Sequence, residues 1–71
     1  MTVTPRQTEK LLKGNQSFSQ LGFSMMLTRL KTVYSKDPST ATLQKCTDEI
    51  NAFLKKYHMI MGGDYAVISK L

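Results

Sequence analysis

The chain has little cysteine, no tryptophan and no long apolar run in its 71 residues. Its one cysteine, Cys46, excludes a disulfide framework within the chain. The first residues do not resemble a signal peptide, and no segment approaches the roughly 20 apolar residues of a membrane-spanning helix. We therefore expect a soluble, cytoplasmic protein without a membrane span, with Cys46 as a small buried apolar residue.

Acidic residues are also scarce. Five Asp and Glu face ten Lys and Arg, which gives a net charge of +5. Neither the 41% hydrophobic nor the 21% charged residues indicate intrinsic disorder. The length fits one small domain, residues 1–71. A domain of this size buries a modest core, so it needs tight helix packing or surface from a partner.

The few prolines and glycines predict where helices begin and end. Thr4 followed by Pro5 predicts an N-cap and a first helical residue, and Gly14 suits a left-handed position after Lys13. This short first helix must dock through Leu11 and Leu12, helped by Val3 and Thr8. A second helix is predicted from Ser17 to Ser35 or Lys36. It is apolar around more than half of its circumference, so it must contact more than one neighbour, with helix three on one side and helix one on the other.

The segment Asp37-Pro38-Ser39 ends helix two, because residues before proline avoid helical backbone angles. Either Asp37 or Ser39 caps the third helix. An apolar stripe at steps of three and four residues then predicts that helix; it comprises Leu43, Cys46, Ile50, Phe53, Tyr57 and Ile60. A connection this short places the two helices antiparallel.

If the chain folds back between Asp37 and Pro38, facing residues have numbers that sum to about 75. Every predicted pair is then apolar, so the apolar pattern of each helix agrees with the predicted antiparallel fold. The pairs are Val33 and Tyr34 with Leu43, Leu30 with Cys46, Met26 and Leu27 with Ile50, Phe23 with Phe53, and Phe18 with Tyr57. Gly22 would lie beside Phe53.

After Gly62-Gly63, two interpretations of the C-terminal residues compete. Asp64 could cap a short helix that buries Tyr65, Ile68 and Leu71, or Tyr65, Val67 and Ser69 could alternate in a strand. The sequence thus predicts an all-α fold: a three-helix domain built on an antiparallel helical hairpin, with a short C-terminal helical turn or strand.

No group of residues indicates catalysis. His58 is the lone histidine and has no metal-ligand partners at helical spacing, and Gly62-Gly63-Asp64 lacks the lysine and hydroxyl of a phosphate loop. We expect no enzyme activity, no metal and no cofactor. The leading hypothesis is a small non-enzymatic module that binds a protein partner or self-associates. Its candidate contacts are Leu21, Met25, Met59, Met61 and Tyr65.

The alternative is a small basic protein that binds nucleic acid. Residues 19–24, followed by Leu27, Arg29 and Leu30, resemble the bacterial helix-turn-helix signature, in which a glycine lies in the turn. Phe18 departs from the small residue that the signature has four positions before that glycine. The candidate phosphate contacts are Arg6, Lys10 and Lys13, which form one stripe on helix one, and Arg29.

Overall fold

A computed structural model describes residues 2–56 and 62–71, and for Tyr65 it describes the backbone alone. Over these residues the chain forms four helices, α1 (Pro5–Lys13), α2 (Leu21–Lys36), α3 (Thr40–Lys56) and α4 (Gly62–Ser69), and no strand. Helices α1, α2 and α3 pack against one another. The all-α prediction is confirmed, and the C-terminal segment is a helix rather than a strand.

Helix α1 begins as predicted. The Gln7 N–H donates to Thr4 Oγ1 at 3.2 Å, and the Thr4 N–H donates to Gln7 Oε1 at 3.0 Å, so two otherwise unpaired amides bind each other's side chains. The left-handed prediction for Gly14 is wrong. Gly14 has φ −91° and ψ 179°, which is extended backbone. Lys31 Nζ of α2 donates to the Gly14 carbonyl at 3.0 Å. This hydrogen bond joins the extended residue after α1 to α2.

Helix α2 begins at Leu21, four residues later than the predicted Ser17. Gln20 is its N-cap, and Gln20 Oε1 accepts from the Phe23 N–H at 2.7 Å. The segment that resembles a helix-turn-helix therefore has no turn at Gly22, because residues 21–24 form the first turn of α2. The helix-turn-helix interpretation of this segment is wrong.

Ser39, one of the two predicted caps, begins α3. Its Oγ accepts from the Thr42 N–H at 3.1 Å. Asp37 does not cap α3; its carboxylate instead accepts from the Thr42 hydroxyl at 2.8 Å. Both side chains therefore fix the short connection between α2 and α3.

Two side-chain contacts join α2 to α3. The rings of Phe23 and Phe53 lie 5.5 Å apart, as predicted, and Arg29 forms an ion pair with Glu49 nearer the turn. The other predicted residues Met26, Leu27, Leu30, Cys46 and Ile50 belong to one buried cluster, although their individual pairings stay predictions.

Two of the predicted pairings stand apart from the buried cluster. Val33 is 41% exposed, so it is not a core residue, and its pairing with Leu43 stays a prediction. The pairing of Phe18 with Tyr57 lies outside the described residues. Phe18 packs edge-on against Phe23, with ring centroids 4.9 Å apart. A Cβ on Gly22 would meet the Phe53 ring at 3.5 Å, which confirms that they are neighbours.

Helix α1 docks as predicted, with Val3, Thr8, Leu11 and Leu12 buried. Its partner face on α3 is broader than the predicted stripe, because α3 also buries Thr42, Thr47 and Leu54. Both α1 and α2 pack against α3, and Thr47 faces α1 through its hydrogen bond to Thr8. A stripe that faces one neighbour covers less of the circumference than a face that meets two.

Polar side chains join the N-terminal segment to α3. The Thr47 hydroxyl donates to Thr8 Oγ1 at 2.8 Å in the interior. Asn51 Oδ1 accepts from the Val3 N–H at 2.7 Å, and Asn51 Nδ2 donates to the Val3 carbonyl at 3.1 Å. Buried polar groups paired in this way fix one orientation of α1.

Helix α4 buries Ile68 and is held by Asp64, which is only 4% exposed. Asp64 was predicted to cap α4, but it lies within the first turn and binds the chain ahead of α2. Its carboxylate accepts from the Ser19 N–H at 2.9 Å, the Ser19 hydroxyl at 3.1 Å and the Gln20 N–H at 3.1 Å. Burial by itself raises the pKa of Asp64, but these three hydrogen bonds outweigh it and lower the pKa overall.

Candidate functional site

Helix α2 carries apolar side chains on its solvent face as well as in the core. Leu21 is 72% exposed and Met25 is 64% exposed. They lie one turn apart, and each is about 160° around the helix from the fully buried Phe23. We call the stripe Leu21, Met25, Thr28 and Thr32 the outer face of α2.

The other two members of the outer face are threonines whose hydroxyls turn back to the helix. The Thr28 hydroxyl donates to the Ser24 carbonyl at 3.0 Å, and the Thr32 hydroxyl donates to the Thr28 carbonyl at 3.4 Å. In these rotamers the hydroxyl is hydrogen-bonded to the backbone, and the methyl group is available for contact with a partner. The spacing i, i+4, i+7, i+11 in the sequence could have revealed this extension, which the prediction missed.

The inner face of α2 explains why Leu21 and Met25 are exposed. Phe23, Met26, Leu27 and Leu30 are buried, and both α1 and α3 pack against α2. The prediction that α2 contacts helices one and three is confirmed. These contacts use the side of α2 that carries the buried residues, so they leave Leu21 and Met25 in solvent.

The remaining predicted partner contacts are not placed by the structure. Met59 and Met61 lie outside the described residues. The backbone of Tyr65 belongs to α4, but its side chain is likewise outside the description. The candidate contact surface therefore consists of Leu21 and Met25, with Thr28 and Thr32 beyond them.

An open groove of about 380 Å³ lies between α2 and α3. Met26, Ala52 and Phe53 give it an apolar floor, and charged side chains form its border; these are Arg29, Glu49 and Lys56. Arg29 projects about 40° around α2 from Met25, so the groove adjoins the outer face.

The three basic residues of α1 share one exposed stripe, as their spacing predicted. Two of them already have partners within the chain. Lys13 forms an ion pair with Glu9 at 3.4 Å, and Lys10 Nζ donates to the backbone oxygen of Leu71 at 2.7 Å. Arg6 is exposed and has no ion-pair partner among residues 2–56 and 62–71.

Arg29, the fourth candidate phosphate contact, does not join this stripe. It pairs with Glu49 of α3, whereas α2 meets the end of α1 through Lys31 and Gly14. Arg29 and Lys31 lie about 160° apart around α2. The four candidate phosphate contacts therefore do not form one continuous basic surface.

The single thiol of the chain, Cys46, is buried. Burial raises the pKa of the Cys46 thiol, and the nearby Arg29 charge offsets only part of this effect, so the thiol stays protonated at neutral pH. Within the described part of the chain, no three His, Cys, Asp or Glu side chains are grouped to hold a metal ion. Nor does any helix there have the length and apolar character to cross a membrane.

Comparison with known proteins gives no indication of function. No protein-family model, no curated protein and no solved structure matches it.

Proposed function

We propose that the chain is a small non-enzymatic interaction module that binds a protein partner, or a second copy of itself, through the outer face of α2. The observation that carries this proposal is the exposure of Leu21 and Met25 opposite the buried face of the same helix. Isolated apolar residues are common on protein surfaces, but two on successive turns give a helix a second contact stripe.

The energy available from this pair suits a moderate-affinity contact. Covering each side chain yields roughly 2 kcal/mol, and thus about 4 kcal/mol for both. A micromolar complex requires about 8 kcal/mol. The pair therefore acts as an anchor, and surrounding polar and charged residues must supply the remainder.

The same reasoning selects the test. The full chain is compared with the double variant Leu21→Ser/Met25→Ser by sedimentation velocity across a concentration series and by capture of partners from the native host. Val33→Ser is the matched control, because Val33 is also an exposed apolar residue of α2 but lies about 80° around the helix from Met25. We expect association or capture to be lost in the double variant and kept in the control.

The proposal would be overturned if the chain were strictly monomeric and if the full chain and the double variant captured the same proteins. Nucleic-acid binding through Arg6, Lys10, Lys13 and Arg29 stays the alternative. A titration with duplex DNA at two salt concentrations tests it, since phosphate contacts weaken steeply as salt rises.

A further inference from the structure

The charges around the outer face of α2 restrict what can bind there. Helix α2 contains Arg29, Lys31 and Lys36 and no Asp or Glu. Arg29 and Lys36 lie within about 40° of Met25 around the helix, so they border the outer face along one side. Lys31 lies on the far flank, where it holds Gly14.

The spacing of the outer face fits a helix as the bound element. Residues at i, i+4, i+7 and i+11 form one ridge along about 16 Å of α2. A second helix can lay an apolar stripe of its own along such a ridge, in the manner of amphipathic helices that bind grooves and helix faces.

A second copy of this chain is a poor occupant. Each copy carries a net charge of +5, and its α2 contains three basic residues and no acidic one, so two copies repel each other. Like charges across an interface cost several kcal/mol in general.

We propose that the outer face of α2 binds an acidic amphipathic helix of another protein, with apolar side chains on Leu21 and Met25 and carboxylates against Arg29 and Lys36. This inference rests on the proposed function and names the chemistry of its partner. Arg29 is 57% exposed while paired with Glu49, so it presents donors to a second carboxylate.

The test uses the full chain and a fluorescent synthetic helix with a leucine stripe on one face and glutamates on the others. A matched peptide has lysine in place of each glutamate. We expect the acidic peptide to bind at least about tenfold more tightly in an anisotropy titration. Binding should weaken between about 0.1 M and about 1 M salt, because screening shortens from ~10 Å to ~3 Å.

Two pairs of variants separate a specific contact from general attraction. Leu21→Ser/Met25→Ser keeps the net charge and should weaken binding of the acidic peptide about tenfold, whereas Val33→Ser should leave the binding unchanged. Lys36→Glu should weaken binding of the acidic peptide about fivefold. Lys45→Glu makes the same charge change at an exposed residue of α3 and should change the binding less than twofold.

Equal effects of Lys36→Glu and Lys45→Glu would overturn the inference, since the net charge alone would then explain binding. So would binding of vesicles with anionic headgroups that depends on Leu21 and Met25 when the acidic peptide does not bind. If the host partner is lost with Leu21→Ser/Met25→Ser and yet the acidic peptide does not bind, the inference fails and the proposed function stands.

Discussion

The hydrogen bonds of Asp64 make it the most informative position for a test of stability. In Asp64→Asn, the amide oxygen can still accept from the Ser19 N–H and hydroxyl. The amide nitrogen then replaces the carboxylate oxygen that faces the Gln20 N–H at 3.1 Å. Two donors therefore confront each other in an interior position.

The magnitude follows from these contacts. Loss of charge assistance in two hydrogen bonds and one unpaired buried amide together cost about 3 kcal/mol. A domain of this length has roughly 4–10 kcal/mol of total stability. We expect the melting temperature of Asp64→Asn to fall by roughly 12–24 °C.

The effect must depend on pH in one direction. The folded pKa of Asp64 lies below its ordinary value of 3.8, so the stabilisation is complete above that value. It is lost as the pH falls through the lowered folded pKa, because the protonated carboxyl resembles the amide. The difference between the native chain and Asp64→Asn should be constant from neutral pH down to about pH 5 and shrink below about pH 4.

Urea unfolding followed by circular dichroism at several pH values measures this difference. Asp48→Asn is the control, since Asp48 is exposed and its carboxylate accepts from Gln44 Nε2 within α3, at 2.9 Å. The control should cost less than about 0.5 kcal/mol. An Asp64→Asn cost that equals the control, or that is unchanged at low pH, would refute the assigned role of these hydrogen bonds.

Three further outcomes follow from the described geometry. Gly14→Ala should cost nothing or add up to about 1 kcal/mol in urea unfolding, because φ is −91° and the new Cβ meets only the flexible end of Gln16; a clear loss would contradict this. Thr47→Val should cost about 1 kcal/mol, and a double-mutant cycle with Thr8→Val should show coupling rather than additivity. Cys46 should react with a thiol reagent only as fast as the chain unfolds, and rapid reaction of the native chain would show that its burial is wrong.

Local signals account for the parts of the fold that the sequence predicts. Thr4 and Pro5 begin α1, and Pro38 with Ser39 separates α2 from α3, because capping and proline geometry act within a few residues. The Phe23–Phe53 contact was also predictable, since a three-residue connection determines which residues face each other near it. Leu21 and Met25 were identified as candidate contacts because α2 is too apolar for one neighbour.

Long-range hydrogen bonds explain what the sequence did not reveal. Ser17 was a reasonable start for α2 by composition, but Asp64 binds the amides of Ser19 and Gln20 from 45 and 44 residues away. The broader buried face of α3 depends on Thr8 meeting Thr47, which are 39 residues apart. No periodic pattern encodes such pairs, since each requires the positions of two helices to be known together.

The same long-range contact links the fold to the candidate site. Leu21, the first residue of α2, directly follows Gln20, whose N–H is held by Asp64 and whose side chain caps the helix. Helix termini fray unless their amides are paired. Asp64 therefore holds the first turn of α2 in the conformation that presents Leu21 beside Met25, and a surface ordered before binding loses less entropy when a partner arrives. Helix α4 thus supports the outer face of α2 through one carboxylate.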